Sequence, residues 1–251
     1  MAAQALNDKA KALRKLCKPG DPVILTNVYD AATAAIVAQH SSTRAMATAS
    51  YAIAATNGIE DNDLSLEDNL IGIRKVAGVA SKKDLPLTAD LQDGYDDVAT
   101  MIKQAIDTGA VGCNIEDVDN KTEKLRSVED AVSRIKTAMS AAQQVGVPDF
   151  CINARTDVLS FGGSIQDAIA RGKAYLEAGA VTVFVWGGPS GRGVSGDEAK
   201  QLVQGLGGYL NAKQLADLGV ARVSIGPELY SKAMTGFRDA LELITKKESF
   251  R

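Results

Sequence analysis

A single histidine, His40, stands in a chain of 251 residues, so metal sites built from several histidines are excluded by count. His40 closes a predicted helix and reads as a surface residue. Cysteine is scarce too: Cys17, Cys113 and Cys151 fit no metal-ligand spacing and leave an odd number. A reduced, cytoplasmic setting is the default expectation. No apolar run is long enough to span a bilayer. The first 20 residues pattern as a short amphipathic helix ending at Gly20, without the continuous apolar core of a secretion signal. There is no basic stripe: 28 Lys and Arg are interspersed with 31 Asp and Glu, for a net charge of −3. A nucleic-acid partner is therefore not expected, and neither is a membrane.

What the chain has is an ordinary globular balance, 45% hydrophobic and 24% charged residues, and length enough for a substantial core. Strand and helix signals alternate throughout. Predicted strands cover 23–28, 44–50, 85–92, 111–117, 150–157, 181–186, 208–211 and 221–225. Predicted helices cover 31–40, 67–81, 97–108, 128–144, 165–178, 197–205, 213–218 and 228–246. Residues 51–65 read as a long irregular connection. Asp30 is placed to cap the first of these helices. Gly109, Gly179 and Gly219 lie between a helix and the next strand, where glycine supplies a left-handed stop. Eight βα units in about 250 residues predict one (β/α)8 TIM-type barrel over 1–251, with a short N-terminal helix in front. A doubly wound open sheet is the alternative; the first strand leads into NVYDAAT, not the G-x-G-x-x-G turn that would support it.

The stretch 86–97, PLTADLQDGYDD, organises the reading. Leu87, Ala89 and Leu91 alternate with Thr88, Asp90 and Gln92, so the polar three share one strand face. In a parallel barrel the carboxyl ends of the strands carry the chemistry. Collected there are Ser50, Tyr51 and Asp61, then Asp90, Gln92 and Asp93, then Asn114, Glu116 and Asp117, then Asn153, Arg155 and Asp157. Carboxylates converging from several strands repel one another in a low dielectric unless a cation joins them. Oxygen ligands without histidine point to Mg2+ or Mn2+ rather than zinc. Arg155 is a natural fork for a substrate carboxylate or phosphonate. The alternative is that Arg155 forms a buried ion network with Asp90 or Glu116, and that Asp90 and Asp93 only cap turns.

The pieces NVYDAATA, ASYAIAATNGIED, TADLQDGYDD, GCNIED and INARTD, in that order and spacing, resemble the isocitrate lyase/phosphoenolpyruvate mutase superfamily. The likeness runs from about Asp21 to the closing helix. It implies a (β/α)8 barrel that makes or breaks C–C or C–P bonds next to a 2-oxo acid, with Mg2+ holding the acid or its enolate. Matched by position, it implies that Asp90 sits on the metal, with Glu116 and Asp61 just outside its direct ligands. Gln92 stands where a second metal-side aspartate is expected, and Asp93 follows one place later as a partial substitute. Backbone amides at Ser50 and Tyr51 would grip the substrate's carboxylate and oxo group, and Arg155 would reach the substrate. Glu116, Arg155, Asn120 and Lys121 are the catalytic candidates, the last two as a lid pair. Trp186, ending the sixth strand where mutases tend to carry histidine, reads as pocket wall, and Asn211 is a further substrate-binding candidate.

The lyase branch carries a catalytic cysteine in a K-[KR]-C-G-H loop after the fourth strand. In this chain the region reads VDNKTEKLRS, with neither cysteine nor histidine. Cys113 and Cys151 read as packing residues. The expectation is a Mg2+-dependent lyase-type enzyme that cleaves a C–C bond in, or decarboxylates, a small 2-oxo or 2-hydroxy acid through an enolate. The alternatives are a C–P bond enzyme of the phosphonopyruvate hydrolase or phosphonomutase kind, and a non-catalytic barrel that binds a carboxylate. The closing helix sets Leu229, Ala233, Phe237, Leu241 and Ile244 at near-helical spacing, and a homo-oligomer, dimer or tetramer, is expected.

Overall fold

The structure, a computed structural model, describes residues 2–18, 20–188, 194–205, 217 and 220–245. Helix α1 (Ala2–Leu16) precedes a sheet of β1 (Val23–Val28), β2 (Met46–Thr48), β3 (Leu87–Asp90), β4 (Gly112–Glu116), β7 (Cys151–Thr156), β8 (Thr182–Val185) and β9 (Arg222–Ser224). Apart from it, β5 (Val118–Asp119) and β6 (Lys124–Leu125) pair as an antiparallel hairpin. Between the strands run α2 (Ala31–Gln39), α3 (Ser50–Thr56), α4 (Leu66–Lys82), α5 (Val98–Thr108), α6 (Val128–Gln144), α7 (Ile165–Glu177) and α8 (Gly196–Gly205), and α9 (Glu228–Thr245) follows β9.

The strand order is β8-β7-β4-β3-β2-β1-β9, parallel throughout, so the last described strand returns to the first. This is a nearly closed TIM-type barrel. The strand expected at 208–211 and, apart from residue 217, the helix expected at 213–218 lie outside the described residues, as does Gly219. Parallel strands buried on both faces read as near-continuous apolar runs. Leu25, Met46, Leu87 and Ile152 of the sheet accordingly share one core with Ile73 of α4, Ile102 of α5 and Ile135 of α6.

Polar side chains punctuate the helices. Asp30, Ser65, Asp97, Ser127 and Ser164 each accept from the backbone N–H three residues on, capping α2, α4, α5, α6 and α7. Gly109 and Gly179 take φ of 103° and 113°, the left-handed stops expected of them. Helix α1 crosses the amino ends of the strands. Asn7 exchanges bonds with Asp149 (3.0 and 2.9 Å), and Cys151 Sγ donates to the Ala10 carbonyl at 3.3 Å. Burial pushes the Cys151 thiol up to about 12 and raises Cys113 as well, in keeping with packing roles. No helix among the described residues is long and apolar enough to cross a membrane.

Two connections differ from expectation. Residues 51–65 are not irregular: α3 and a single 3-10 turn, Asp61–Asp63, occupy most of them, because SYAIAAT is rich in the best helix former. The strand expected over 85–92 stops at Asp90, because Gln92, Gly94 and Tyr95 adopt φ of 51°, 91° and 53° and break the extended backbone.

Gly112 sits where β4 passes closest to β7 and α1. A Cβ there would lie 2.6 Å from the Cys151 carbonyl oxygen and 3.0 Å from Leu13 Cδ2. Gly112→Ala is expected to lower stability by about 1–3 kcal/mol. Gly78→Ala on α4, where an added Cβ meets nothing within 4 Å, should raise it by up to about 1 kcal/mol. Urea denaturation of both variants checks the pair; an unchanged Gly112→Ala protein would mean that β4 and α1 part easily at this point.

Candidate active site

The last residues of β3, β4 and β7 reach one end of the barrel, and carboxylates meet there. Asp90 ends β3. Its N–H donates to Thr48 Oγ1 at 2.8 Å, and its Oδ2 accepts from the Ser50 N–H at 3.1 Å and hydroxyl at 3.2 Å. Its Oδ1 is buried and has no hydrogen-bond partner among the described residues. Asn69, buried on α4, donates to the Asp90 carbonyl (2.9 Å) and to the Tyr95 hydroxyl (3.0 Å).

Asp61 lies in the 3-10 turn, where Gln92 Nε2 donates to its carbonyl at 2.6 Å and its carboxylate at 2.9 Å. Gln92 can reach it because its backbone has left the strand. Gln92 and Tyr95 hold the left-handed conformation at a cost of about 1–3 kcal/mol each. Burial, and then the charge of Asp90, raise the Asp61 carboxyl, while bonds from Ser50 and Gln92 and the charge of Arg155 pull it back.

Glu116 and Arg155 are partners in the β4–β7 register. Arg155 Nη1 donates to Glu116 Oε1 at 2.7 Å, and its Nε and Nη2 chelate Asp157 at 3.0 and 2.6 Å. Burial pushes the Glu116 carboxyl up to about 8; Arg155 opposes the rise, and Asp157, Asp90 and Asp61 add to it. Burial also works against the charge on Arg155, but Glu116 and Asp157 outweigh it and hold the guanidinium protonated. The Trp186 ring lies over that guanidinium, 4.5 Å from Cζ to the ring centroid, with Phe184 at 5.7 Å. A guanidinium has five N–H groups. Among the described residues, three are engaged by Glu116 and Asp157, and two remain.

The fold thus gathers Ser50, Asp61, Asp90 and Gln92, and brings Glu116, Arg155 and Trp186 together within electrostatic reach of them. Other candidates stand apart. Both oxygens of Asp93 carry donors: the Tyr95 N–H at 3.0 Å on Oδ1, and Arg126 Nη2 at 2.8 Å and the Asn120 N–H at 3.3 Å on Oδ2. Asp93 therefore fastens the β5–β6 hairpin rather than backing Asp90; the mostly buried Arg126 needs a counterion, and Asp93 supplies it. Asn120 and Lys121 lie in the hairpin turn, where Lys121 Nζ pairs with Asp96 at 2.6 Å, both exposed. Of the two backbone amides expected to grip the substrate, that of Ser50 donates to Asp90 Oδ2 instead, and Tyr51 follows it in α3 with its ring half exposed against Tyr230 of α9. Asn211 lies outside the described residues. Arg155 pairs with Glu116, as one reading allowed, and not with Asp90. Asp157, Phe184 and Asn69 had no assigned role. The period-two face shared with Arg155 was a signal for Asp157, and a lone amide on the apolar side of α4 was one for Asn69.

Among the described residues, no three Cys, His, Asp or Glu side chains form a ready ligand cage. Asp90 instead offers one unpartnered oxygen among anionic neighbours. That suits a hard cation which keeps several waters and takes only one or two protein carboxylates.

The family model described as phosphoenolpyruvate phosphomutase matches residues 13–245. The chain is 32% identical over 197 residues to the chloroplastic carboxyvinyl-carboxyphosphonate phosphorylmutase of Arabidopsis thaliana; the match covers 73% of this chain and 58% of that protein's length. To the oxaloacetate decarboxylase of Paraburkholderia xenovorans it is 24% identical over 250 residues, 93% of this chain and 81% of that one. The crystal structure of a candidate phosphonomutase from Burkholderia cenocepacia superposes with a TM-score of 0.84 at 33% identity, covering 96% of this chain and 99% of that one.

Removing Arg155 would leave Glu116 and Asp157 buried without their cation. Arg155→Ala is expected to cost about 3–5 kcal/mol of folding stability, read by chemical denaturation. A loss below about 1 kcal/mol would show that the pairs are as weak as exposed ones.

Proposed function

The chain belongs to the phosphoenolpyruvate phosphomutase family of the isocitrate lyase/phosphoenolpyruvate mutase superfamily, and from that premise we propose that it is a lyase-type enzyme that uses Mg2+ or Mn2+ to cleave a C–C bond in, or decarboxylate, a small 2-oxo or 2-hydroxy acid. The observation that carries this reading is Asp90 Oδ1, a buried carboxylate oxygen with no donor at the carboxyl end of a barrel strand. Asp90 would hold the cation, with Asp61 and Glu116 close outside it. A bound divalent cation supplies Lewis acidity, polarising the 2-oxo group as the neighbouring bond breaks.

The chain's own residues do the rest. Ser50 fixes Asp90 through Oδ2, which leaves Oδ1 as the oxygen turned to the cation. Gln92 keeps Asp61 in place. Arg155, anchored by Glu116 and Asp157, presents its two remaining N–H groups to a substrate carboxylate, and Trp186 screens the guanidinium face from water. The hairpin carrying Asn120 and Lys121 stands beside the mouth, strapped by Asp93 and Arg126. C–P cleavage is the second reading, favoured by the phosphorylmutase name of the Arabidopsis relative. A barrel that only binds a carboxylate has no use for a buried, unpartnered carboxylate oxygen at Asp90, which is costly unless a cation meets it.

We also propose that the chain self-associates through α9. No residue of that helix is buried; Phe237 is 68% exposed, and Leu241 and Ile244 about half. A second copy is the occupant that the family resemblance supports.

Two outcomes are expected. Asp90→Ala should bind no Mg2+ in calorimetry while melting close to the parent, and should release no product from a panel of 2-oxo and 2-hydroxy acids that the parent cleaves; equal metal affinity in the variant would refute the assignment. Light scattering at micromolar concentration should give a multiple of the single-chain mass, and Phe237→Glu should shift it toward one chain; a parent protein already at the mass of one chain would rule out the assembly.

A further inference from the structure

The substrates of the two bond types differ in one place. Oxaloacetate carries a carboxylate on carbon 3 where phosphonopyruvate carries a phosphonate. The donors around Arg155 discriminate between these groups. After Glu116 and Asp157, Arg155 has two N–H groups left, the number that the two oxygens of a carboxylate take in a fork. A phosphonate brings a third oxygen and a second negative charge into a site that already holds Asp61, Asp90, Glu116 and Asp157. Lys121 is held by Asp96, Arg126 by Asp93 and Asp119, and Arg134 by the carbonyls of Asp93 and Tyr95, while Arg222 of β9 donates to Asn114 Oδ1 at 3.1 Å.

Trp186 narrows the approach further. Its backbone N–H donates to the Thr156 carbonyl at 3.0 Å, fixing the residue just after β8, and its ring covers one face of the guanidinium. An indole face receives alkyl groups and cannot replace the water shell of a dianion. Phe184 extends the same apolar wall.

We propose that Trp186 is a specificity-determining residue: it confines Arg155 to its remaining edge, so that the site takes an acid whose carbon 3 bears a carboxylate, with any alkyl branch against the indole, and turns away the phosphonate. The proposal rests on the lyase reading above, and it decides between that reading's two bond types.

Calorimetry on the full chain with saturating Mg2+ tests it with three probes: oxalate for the acid head alone, and malate and 3-phosphonolactate, which differ only in the group on carbon 3. Oxalate should bind, and malate should bind about tenfold or more tighter than the phosphonate, the size of a pocket-contact preference. Trp186→Ala should narrow that ratio to about threefold or less, and Trp186→Phe should restore most of it. Equal or tighter binding of the phosphonate to the parent protein overturns the proposal, whether or not Trp186→Ala folds. So does an unchanged ratio in a Trp186→Ala protein that still binds oxalate. Failure of oxalate to bind the parent would instead remove the lyase reading, and this proposal with it.

Discussion

Like-charge repulsion at the carboxyl end of the sheet sets the terms for this molecule. The charge of Asp90 raises the Asp61 carboxyl, those of Asp157, Asp90 and Asp61 raise Glu116, and one guanidinium, Arg155, touches both Glu116 and Asp157. A pair of unit charges about 4 Å apart interacts by about 4 kcal/mol even at an effective dielectric of about 20. A fold with ordinary marginal stability cannot carry several such terms uncompensated. Each carboxylate is therefore held by a donor of its own: Ser50 on Asp90, Gln92 on Asp61, Arg155 Nη1 on Glu116, and Arg155 Nε and Nη2 on Asp157. The imbalance that remains is concentrated at one atom, Asp90 Oδ1, and a bound divalent cation would relieve it.

The frame around these groups is built to stay in place. The loop after β3 spends backbone strain at Gln92 and Tyr95, and it is locked by Asn69 from α4 and by Arg134 on the carbonyls of Asp93 and Tyr95. Asp93 passes the same rigidity to the hairpin through Arg126, a nearly buried pair whose loss would leave a charge stranded. The strained backbone, the hairpin and the carboxylate group are thus one connected unit. Aromatic contacts from α9, through Tyr230 to Tyr29 and Tyr51, reach the edge of that unit.

Much of this was legible in the sequence, for physical reasons. Strand and helix periods gave the alternation, and Asp30 is a capping residue by type and place. Asp90, Glu116 and Arg155 stood out because a charged residue on the inner face at the end of a buried strand has few other uses. What escaped was set by geometry that no period encodes. Strands as short as Val118–Asp119 carry no alternation to detect. Gln92 was expected to point with Asp90 by the period-two rule, but a left-handed φ turns it to Asp61 instead. Asp93 and Asp90 are equivalent as residue types; only the fold brings Arg126, 33 residues further on, to one of them.

The central claim is that Asp90 anchors a cation which the substrate's acid head also touches. Electron paramagnetic resonance of the Mn2+-loaded protein tests it most directly, with oxalate enriched in oxygen-17. The account predicts that unlabelled oxalate changes the spectrum of the bound ion and that the label broadens its lines, because ligand oxygens would be bonded to the metal. A bound-ion spectrum indifferent to oxalate and to its isotope would contradict the account.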